Sequence, residues 1–456
     1  MLKLFLSVLL FLQSAFLPLG LGQSNAQKWK LDDLPVYPDG YLCGTVYNAG
    51  AGLANEENGP TDEDSRMQIV SATTAEDFLS YCNTVEKEGF EKTYSASGDG
   101  ITAAAFRGKD RFFYAYYCEK NGQARFIEDN GTNCFEDFGY TYSAGSEATV
   151  YQFDYPYQGP GEKKDEDIYS TNGMMYIIRL ADNRLIVIDG GSIRQSADQN
   201  IEECMAFLHK ITNTAENETV HIALWYGTHG HSDHITFFYK LLGFHHDTID
   251  LERVMFNYPS LELVEHDGRT DMYRDRLAQF YPNVRYLKPH TGMTFDIANV
   301  HFRVLYTHED AVSPVTGKTP VKNANDGSTV CRLTIAGKRF LVLGDINILA
   351  QDRIIHMYDR DSVRTDLLQA AHHLYNAVTI LYDWTDAEHV LCPMSPGRAR
   401  LGQPGYTSAK LFYKESQLLF ADDGLYGVTL SADGLTLSKE HTNCVPYDDS
   451  SMNEVK

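Results

Sequence analysis

Residues 221–242 constrain the fold more than any other stretch of this chain. An apolar run, His221–Tyr226, passes through Gly227 and Thr228 into His229-Gly230-His231-Ser232-Asp233-His234, and a second apolar run, Ile235–Leu242, follows at once. The first run has the length and composition of a buried strand, and the second that of a helix. Four ligand-type side chains in six residues lie between them. Packing so many ionisable groups beside a core without compensation would cost several kcal/mol. Their spacing supplies the compensation: His229 and His231 alternate through a turn so that both imidazoles reach one cation, while Asp233 and His234 address a second about 3.5–4 Å away. The expected unit is strand, metal-binding loop, helix.

The surrounding sequence alternates strands and helices, as an α/β domain does. Met174–Leu180 and Leu185–Ile188 read as a hairpin ending in Asp189-Gly190-Gly191, and Asp198–Ile211 as a helix. Gly292–Phe295 precedes a strand running to Leu305. Arg332–Ile335 and Arg339–Leu343 form a hairpin across Ala336-Gly337-Lys338 that ends in Gly344-Asp345, and Asp366–Ala371 leads into His372-His373.

On these motifs, residues 170–445 resemble the metallo-β-lactamase superfamily, and within it the extracellular domain of competence-type DNA-uptake proteins. The resemblance implies an αββα sandwich with metal ligands on loops along one edge. It implies that His229, His231, Asp233, His234, Asp345 and His372 hold two divalent cations, zinc first with manganese or iron as alternatives. Asp345 would bridge them, Asp233 would orient the nucleophile, and His373 would stand beside the substrate as the second catalytic residue, or exchange roles with His372. One departure weakens the first cation position: a turn that carries a histidine in the superfamily reads Asn323-Ala324-Asn325-Asp326-Gly327-Ser328 here. Asn325, Asp326 or His308 would have to replace it. Tyr226, Tyr306 and Tyr375 lie near the ligand loops, and Arg398 and Arg400 sit in a Gly/Pro-rich segment; the remaining histidines lack partners in sequence.

The first half reads differently. Residues 1–22 have the character of a secretory signal, with Lys3, the apolar run Leu4–Leu12 and small residues beyond. Secretion or another extracytoplasmic location is expected, with no membrane span after signal removal. Residues 27–66 read as an irregular lead-in, and 27–150 as a small α+β (βαβββ) domain with a packing or recognition role. Its strands fall at Met67–Ser71, Ile101–Phe106, Arg111–Cys118 and Ala124–Ile127, its helix opening at Thr73-x-x-Glu76 and burying Phe78, Leu79, Cys82 and Val85. The stretch 151–172 reads as a linker. Eight cysteines, four before residue 150 and four after, suit disulfides within each half of an exported chain. Asn130 and Asn217 begin glycosylation tripeptides.

A formal net charge of -23 repels polyanions. It disfavours long nucleic acid and favours a small-molecule substrate. No Gly-x-Ser-x-Gly elbow occurs, so the chemistry expected is metal-assisted hydrolysis of an ester-type or phosphodiester-type bond. The competing expectation is a non-catalytic binding protein on the same fold, with weak or single metal occupancy.

Overall fold

The computed structural model describes residues 24–38, 41–47, 50–51, 65–108, 111–130, 133, 135, 143–153, 173–259, 276–421 and 424–441. The signal segment, nearly all of the 151–172 stretch, Cys134 and Cys444 lie outside them.

Two mixed sheets face each other across an apolar core, with helices on their outer faces: an α/β, αββα sandwich. The first sheet runs Arg285–Leu287, Arg253–Met255, Val220–Tyr226, Leu185–Asp189, Met175–Arg179, Ala148–Gln152, Gly424–Ser431, Gly434–His441, with Ile249–Leu251 also beside Val220–Tyr226. Its first four strands are parallel and the rest antiparallel. Helices Asp198–Thr212 and Thr236–Phe244 cover its outer face through Cys204, Leu208, Phe238 and Leu241. The second sheet runs Thr294–Ile297, Val300–Tyr306, Val330–Ile335, Lys338–Val342, Leu367–Gln369, His389–Cys392, Leu418–Phe420, antiparallel and then parallel from Lys338–Val342 onward. Continuous apolar runs such as Leu185–Ile188 are buried throughout, as strands covered on both faces must be.

The parallel strands of both sheets end at one edge. Asp189, the His229–His234 loop, Asp345 and His372-His373 all follow those strand ends. Side chains there converge for the same reason that open α/β sheets bind ligands beyond their carboxyl ends.

The N-terminal part forms a six-stranded, fully antiparallel sheet in the order Leu42–Tyr47, Arg66–Ser71, Gln123–Asn130, Arg111–Cys118, Ile101–Arg107, Glu91–Gly98. Two of these strands escape the pattern expected from sequence. Leu42–Tyr47 lies in the supposedly irregular lead-in, and Glu91–Gly98 is a polar edge strand without a buried face. The helix Ala75–Lys87 is capped by Thr74, whose hydroxyl accepts from the Asp77 amide at 3.2 Å, rather than by the Thr73/Glu76 box. Thr73 is taken by the Tyr37 hydroxyl at 2.7 Å. Leu79 is turned to solvent, and Tyr81 is buried with Phe78, Cys82 and Val85.

One face of this sheet packs on the helix and on Trp29, Leu31 and Tyr37, and the other joins the sandwich core. The approach is close: a Cβ on Gly292, at φ +89°, would meet Ile101 Cγ2 at 2.7 Å. Ala148–Gln152, within the span expected to be N-terminal, is a strand of the sandwich.

The disulfides expected from cysteine parity are not formed among the described residues. Cys43, Cys82, Cys118, Cys204, Cys331 and Cys392 are in no disulfide. All but Cys43 are buried as small apolar side chains within packed elements, and burial pushes their thiol pKa values up.

Candidate metal centre

The first sheet delivers the His-rich loop. Val220–Tyr226 ends in a core, Gly227 donates to the Met255 carbonyl, and a short 3-10 turn, Ser232–His234, leads into helix Thr236–Phe244. Asp189, at the end of the neighbouring strand with φ +59°, organises this loop. Its carboxylate accepts from the Thr228 amide (2.7 Å) and hydroxyl (2.9 Å) and from His234 Nδ1 (2.8 Å).

That arrangement fixes tautomers. The Thr228 hydroxyl spends its one proton on Asp189, so at 3.1 Å it accepts from His229 Nδ1. His234 Nδ1 faces a carboxylate, and His373 Nδ1 faces the Pro393 carbonyl at 3.2 Å, so both donate. Three buried imidazoles are thereby held with Nδ1 protonated and Nε2 turned inward. His229 Nε2 lies 3.0 Å from His231 Nδ1, and His234 Nε2 lies 3.2 Å from both His373 Nε2 and Asp345 Oδ2. His373 Nε2 is also 3.5 Å from Asp233 Oδ2 and 3.7 Å from Asp345 Oδ2.

The second sheet delivers Asp345. The buried Gln369 amide splints the preceding turn, accepting from the Leu343 and Gly344 amides at 2.7 Å each, and Ser328 Oγ accepts from the Asp345 amide at 3.0 Å. Gly344, at φ +59°, admits no Cβ here, because one would sit 2.8 Å from Ser328 Cβ. Asp345 Oδ1 is buried without a hydrogen-bond partner.

The electrostatics ask for positive charge. Burial disfavours charge on Asp345, yet His234, His372 and His373 hold its pKa well below the ordinary value; Asp233 is likewise lowered against burial by His234 and His373. Burial opposes protonation of His234, but Asp345, Asp189 and Asp233 outweigh it and raise its pKa well above normal. Burial keeps His229 neutral. The Nε2 atoms of His234 and His373, 3.2 Å apart, cannot both present lone pairs there without repulsion unless a proton or a cation lies between them. Two sets fit a cation: His229, His234 and Asp345, and Asp233, His234 and His373.

The adjacent histidines take different places. Residues 372–374 adopt left-handed backbone, with φ of 45°, 48° and 64°. This turns His373 into the group with Asp233 and His234; the sequence reading put His372 among the ligands and His373 beside the substrate, with the exchange of the two left open. His372 stands at the mouth, a quarter exposed, its Nε2 3.7 Å from Asp345 Oδ2 and its ring 5.6 Å from Tyr375.

The other candidates separate as well. His308 Nε2 is paired with Asn257 Oδ1 at 3.0 Å, and burial lowers its pKa to about 4. Asp326 accepts from the Asn347 amide at 3.1 Å. Tyr226 and Tyr306 donate to the carbonyls of Thr329 and Asp326. Arg400 pairs with Glu415 at 3.1 Å. Sequence reasoning named Asp189 only as a turn residue and passed over Gln369 and Ser328, which carry no signal beyond ordinary strand-end polarity.

No protein-family model and no curated relative matches the chain. Among solved structures it is similar to the metallo-β-lactamase fold protein YhfI from Bacillus subtilis, at 12% identity over 61% of this chain and 98% of that one, with a TM-score of 0.35. Similarity to Tm1679, a metal-dependent hydrolase of the β-lactamase superfamily, is 12% over 63% and 99%, with a TM-score of 0.34. CmlA, a diiron β-hydroxylase from Streptomyces venezuelae, gives 12% over 56% and 49%, at 0.29, so the chain spans about half the length of that protein. Such low scores transfer neither residue roles nor substrate, and the chemistry of this centre rests on its own side chains.

Proposed function

We propose that this protein is a metal-dependent hydrolase that holds two divalent cations. His229 and Asp345, with His231 beside them, would hold the first, and Asp233, His234 and His373 the second, His234 also lying within reach of Asp345. The observation that carries this reading is the trio of forced tautomers, His229, His234 and His373, whose inward Nε2 atoms surround a carboxylate with an unpartnered oxygen. Two cations in such a site supply Lewis acidity and a water that ionises near neutral pH. Asp189, Thr228 and the Pro393 carbonyl keep the imidazoles in ligating form. Asp233, about a third exposed and held anionic, accepts a hydrogen bond from the attacking water and aims it. His372 at the mouth offers a hydrogen bond to the bound substrate.

The substrate we propose is a small molecule with an ester-type or phosphodiester-type bond. The phosphodiester option follows from the competence-type resemblance, and small size from the -23 charge, which disfavours long nucleic acid. Export follows from the character of residues 1–22. Zinc is the first expectation for an imidazole-rich site, with manganese or iron as alternatives.

Metal counting by mass spectrometry and turnover on a panel of phosphodiesters, lactones, thioesters, β-lactams and sulfate esters test the proposal, with His231→Ala and Asp233→Asn as controls. Chelator-sensitive turnover that both variants lose is expected. Fewer than one bound cation in folded protein would refute it. Bound cations with silence across the panel would favour a binding protein on the same fold.

A further inference from the structure

We infer that the surface formed by residues 380–414 docks on an anionic lipid bilayer, a role that goes beyond the hydrolase reading and does not depend on it. Four large apolar side chains are exposed there: Leu411 at 68%, Leu401 at 63%, Ile380 at 42% and Phe412 at 41%. The fold brings them together. Arg400 and Lys410, which immediately precede Leu401 and Leu411, both grip the Glu415 carboxylate, at 3.1 and 2.6 Å. Thr379, beside Ile380, meets Ser408 at 3.1 Å between helices Thr379–Thr385 and Pro404–Ala409. Tyr413 is the inward anchor: it is buried, and its hydroxyl donates to the Tyr382 carbonyl at 3.0 Å, leaving the adjoining Leu411 and Phe412 outside.

Charge identifies the occupant. Between Glu388 and Glu415 the chain carries Arg398, Arg400, Lys410 and Lys414 and no Asp or Glu, although its net charge is -23. Glu415 is shared by Arg400 and Lys410, while Arg398 and Lys414 make no ion pair among the described residues. Asp383 and Asp386, at the end of the neighbouring helix, are paired with Arg360 and Arg364 at 3.7 and 3.1 Å. Screening over about 8 Å at physiological ionic strength confines the repulsion from the rest of the chain, so the local sign decides what this surface meets. A second copy of the chain is the poorer occupant, because a two-fold contact would set like charges against one another. Apolar side chains interleaved with Lys and Arg match a bilayer interface instead: leucine, isoleucine and phenylalanine enter the headgroup boundary while the cations meet lipid phosphate. The surface adjoins the metal centre. Pro393, whose carbonyl holds His373, lies within the segment, and Gly405 packs so closely on the 372–374 turn that a Cβ would lie 2.3 Å from the Leu374 carbonyl oxygen.

Flotation of the full chain with vesicles of phosphatidylcholine alone, and with vesicles of an equimolar mixture of phosphatidylcholine and phosphatidylglycerol, tests this without substrate or cation. The wild type is expected to float with the mixed vesicles and not with phosphatidylcholine, and to be released as salt is raised. Leu411→Ser combined with Phe412→Ser lowers the partition coefficient roughly tenfold or more, with circular dichroism unchanged because both side chains are exposed in the folded chain. Arg398→Gln combined with Lys414→Gln lowers it by a similar factor and flattens the salt dependence. Phe244→Ser, which removes an exposed apolar side chain from the outer face of the other sheet, leaves it unchanged. No flotation of the wild type, equal binding to both kinds of vesicle, or an equal loss in Phe244→Ser overturns the inference and leaves the hydrolase proposal standing. A dimer in sedimentation equilibrium that the Leu411 and Phe412 variant dissociates, without vesicle binding by the wild type, assigns the surface to a second copy and overturns it as well.

Discussion

Among the described residues two buried clusters of histidine and carboxylate stand out, and only one of the two has the character of a metal site. The second joins the N-terminal sheet to the sandwich. Asp129 reaches across to Lys288 at 2.8 Å and His290 Nε2 at 2.7 Å, His290 Nδ1 meets Glu309 at 2.9 Å, and Ser65 and Asn257 complete the set. Burial acts against all of these charges, yet the partners prevail: His290 is raised to about 9 and Glu309 lowered to about 2. Two anions and two cations cancel there, and both His290 nitrogens face carboxylates. In the metal centre, imidazole Nε2 atoms face one another and a carboxylate oxygen is left over. Composition does not separate the clusters; hydrogen-bond accounting does. A self-satisfied cluster specifies how two parts of the chain dock, whereas one short of positive charge is arranged for a ligand from outside.

The sharpest way to break this contrast is to remove one charge from the docking cluster. Asp129→Ala leaves Lys288 and His290 buried with too little negative charge, and a loss of about 3–5 kcal/mol in denaturant unfolding is expected, with cation content unchanged in the folded fraction. A loss below 1 kcal/mol would mean that the cluster is wetter than it looks. Chelation should act on the other cluster: at a hundredfold excess of free cation over Kd, its removal lowers unfolding free energy by roughly 3 kcal/mol per site, and by the same amount in Asp129→Ala as in wild type. Asp189→Asn removes the anionic partner of His234 Nδ1, and cation affinity should fall about 10–100-fold in competition with a chromophoric chelator.

The smallest effect is on pH. The raised pKa of His290 means that its contribution is full below about 6.5, the ordinary histidine value, and is lost as pH rises toward 9. The lowered pKa of Glu309 makes its contribution full above about 4.3 and lost as pH falls toward 2. The stability gap between wild type and His290→Gln should therefore be widest between these limits and narrow on either side. A gap that is flat from pH 5 to 9 would remove His290 from the charged cluster.

The sequence by itself determined the elements whose pattern is local. Val220–Tyr226 and Leu185–Asp189 are continuous apolar runs, the hairpin at Ala336-Gly337-Lys338 is marked by its turn, and a loop with four ligand-type residues in six has few other uses. Patterns that depend on neighbours were not legible. Glu91–Gly98 is a strand because a sheet edge receives it, Thr74 caps the helix while Thr73 pairs with Tyr37, and cysteine parity says nothing about thiols already packed in a core. Only the tertiary structure decided which of His372 and His373 faces inward, because the left-handed backbone at 372–374 follows an amide bond from His372 to the Gly344 carbonyl, distant in sequence. It alone showed that His308 and Asp326 already have partners while Asn325 Oδ1 has none, since partners distant in sequence are brought together only by folding.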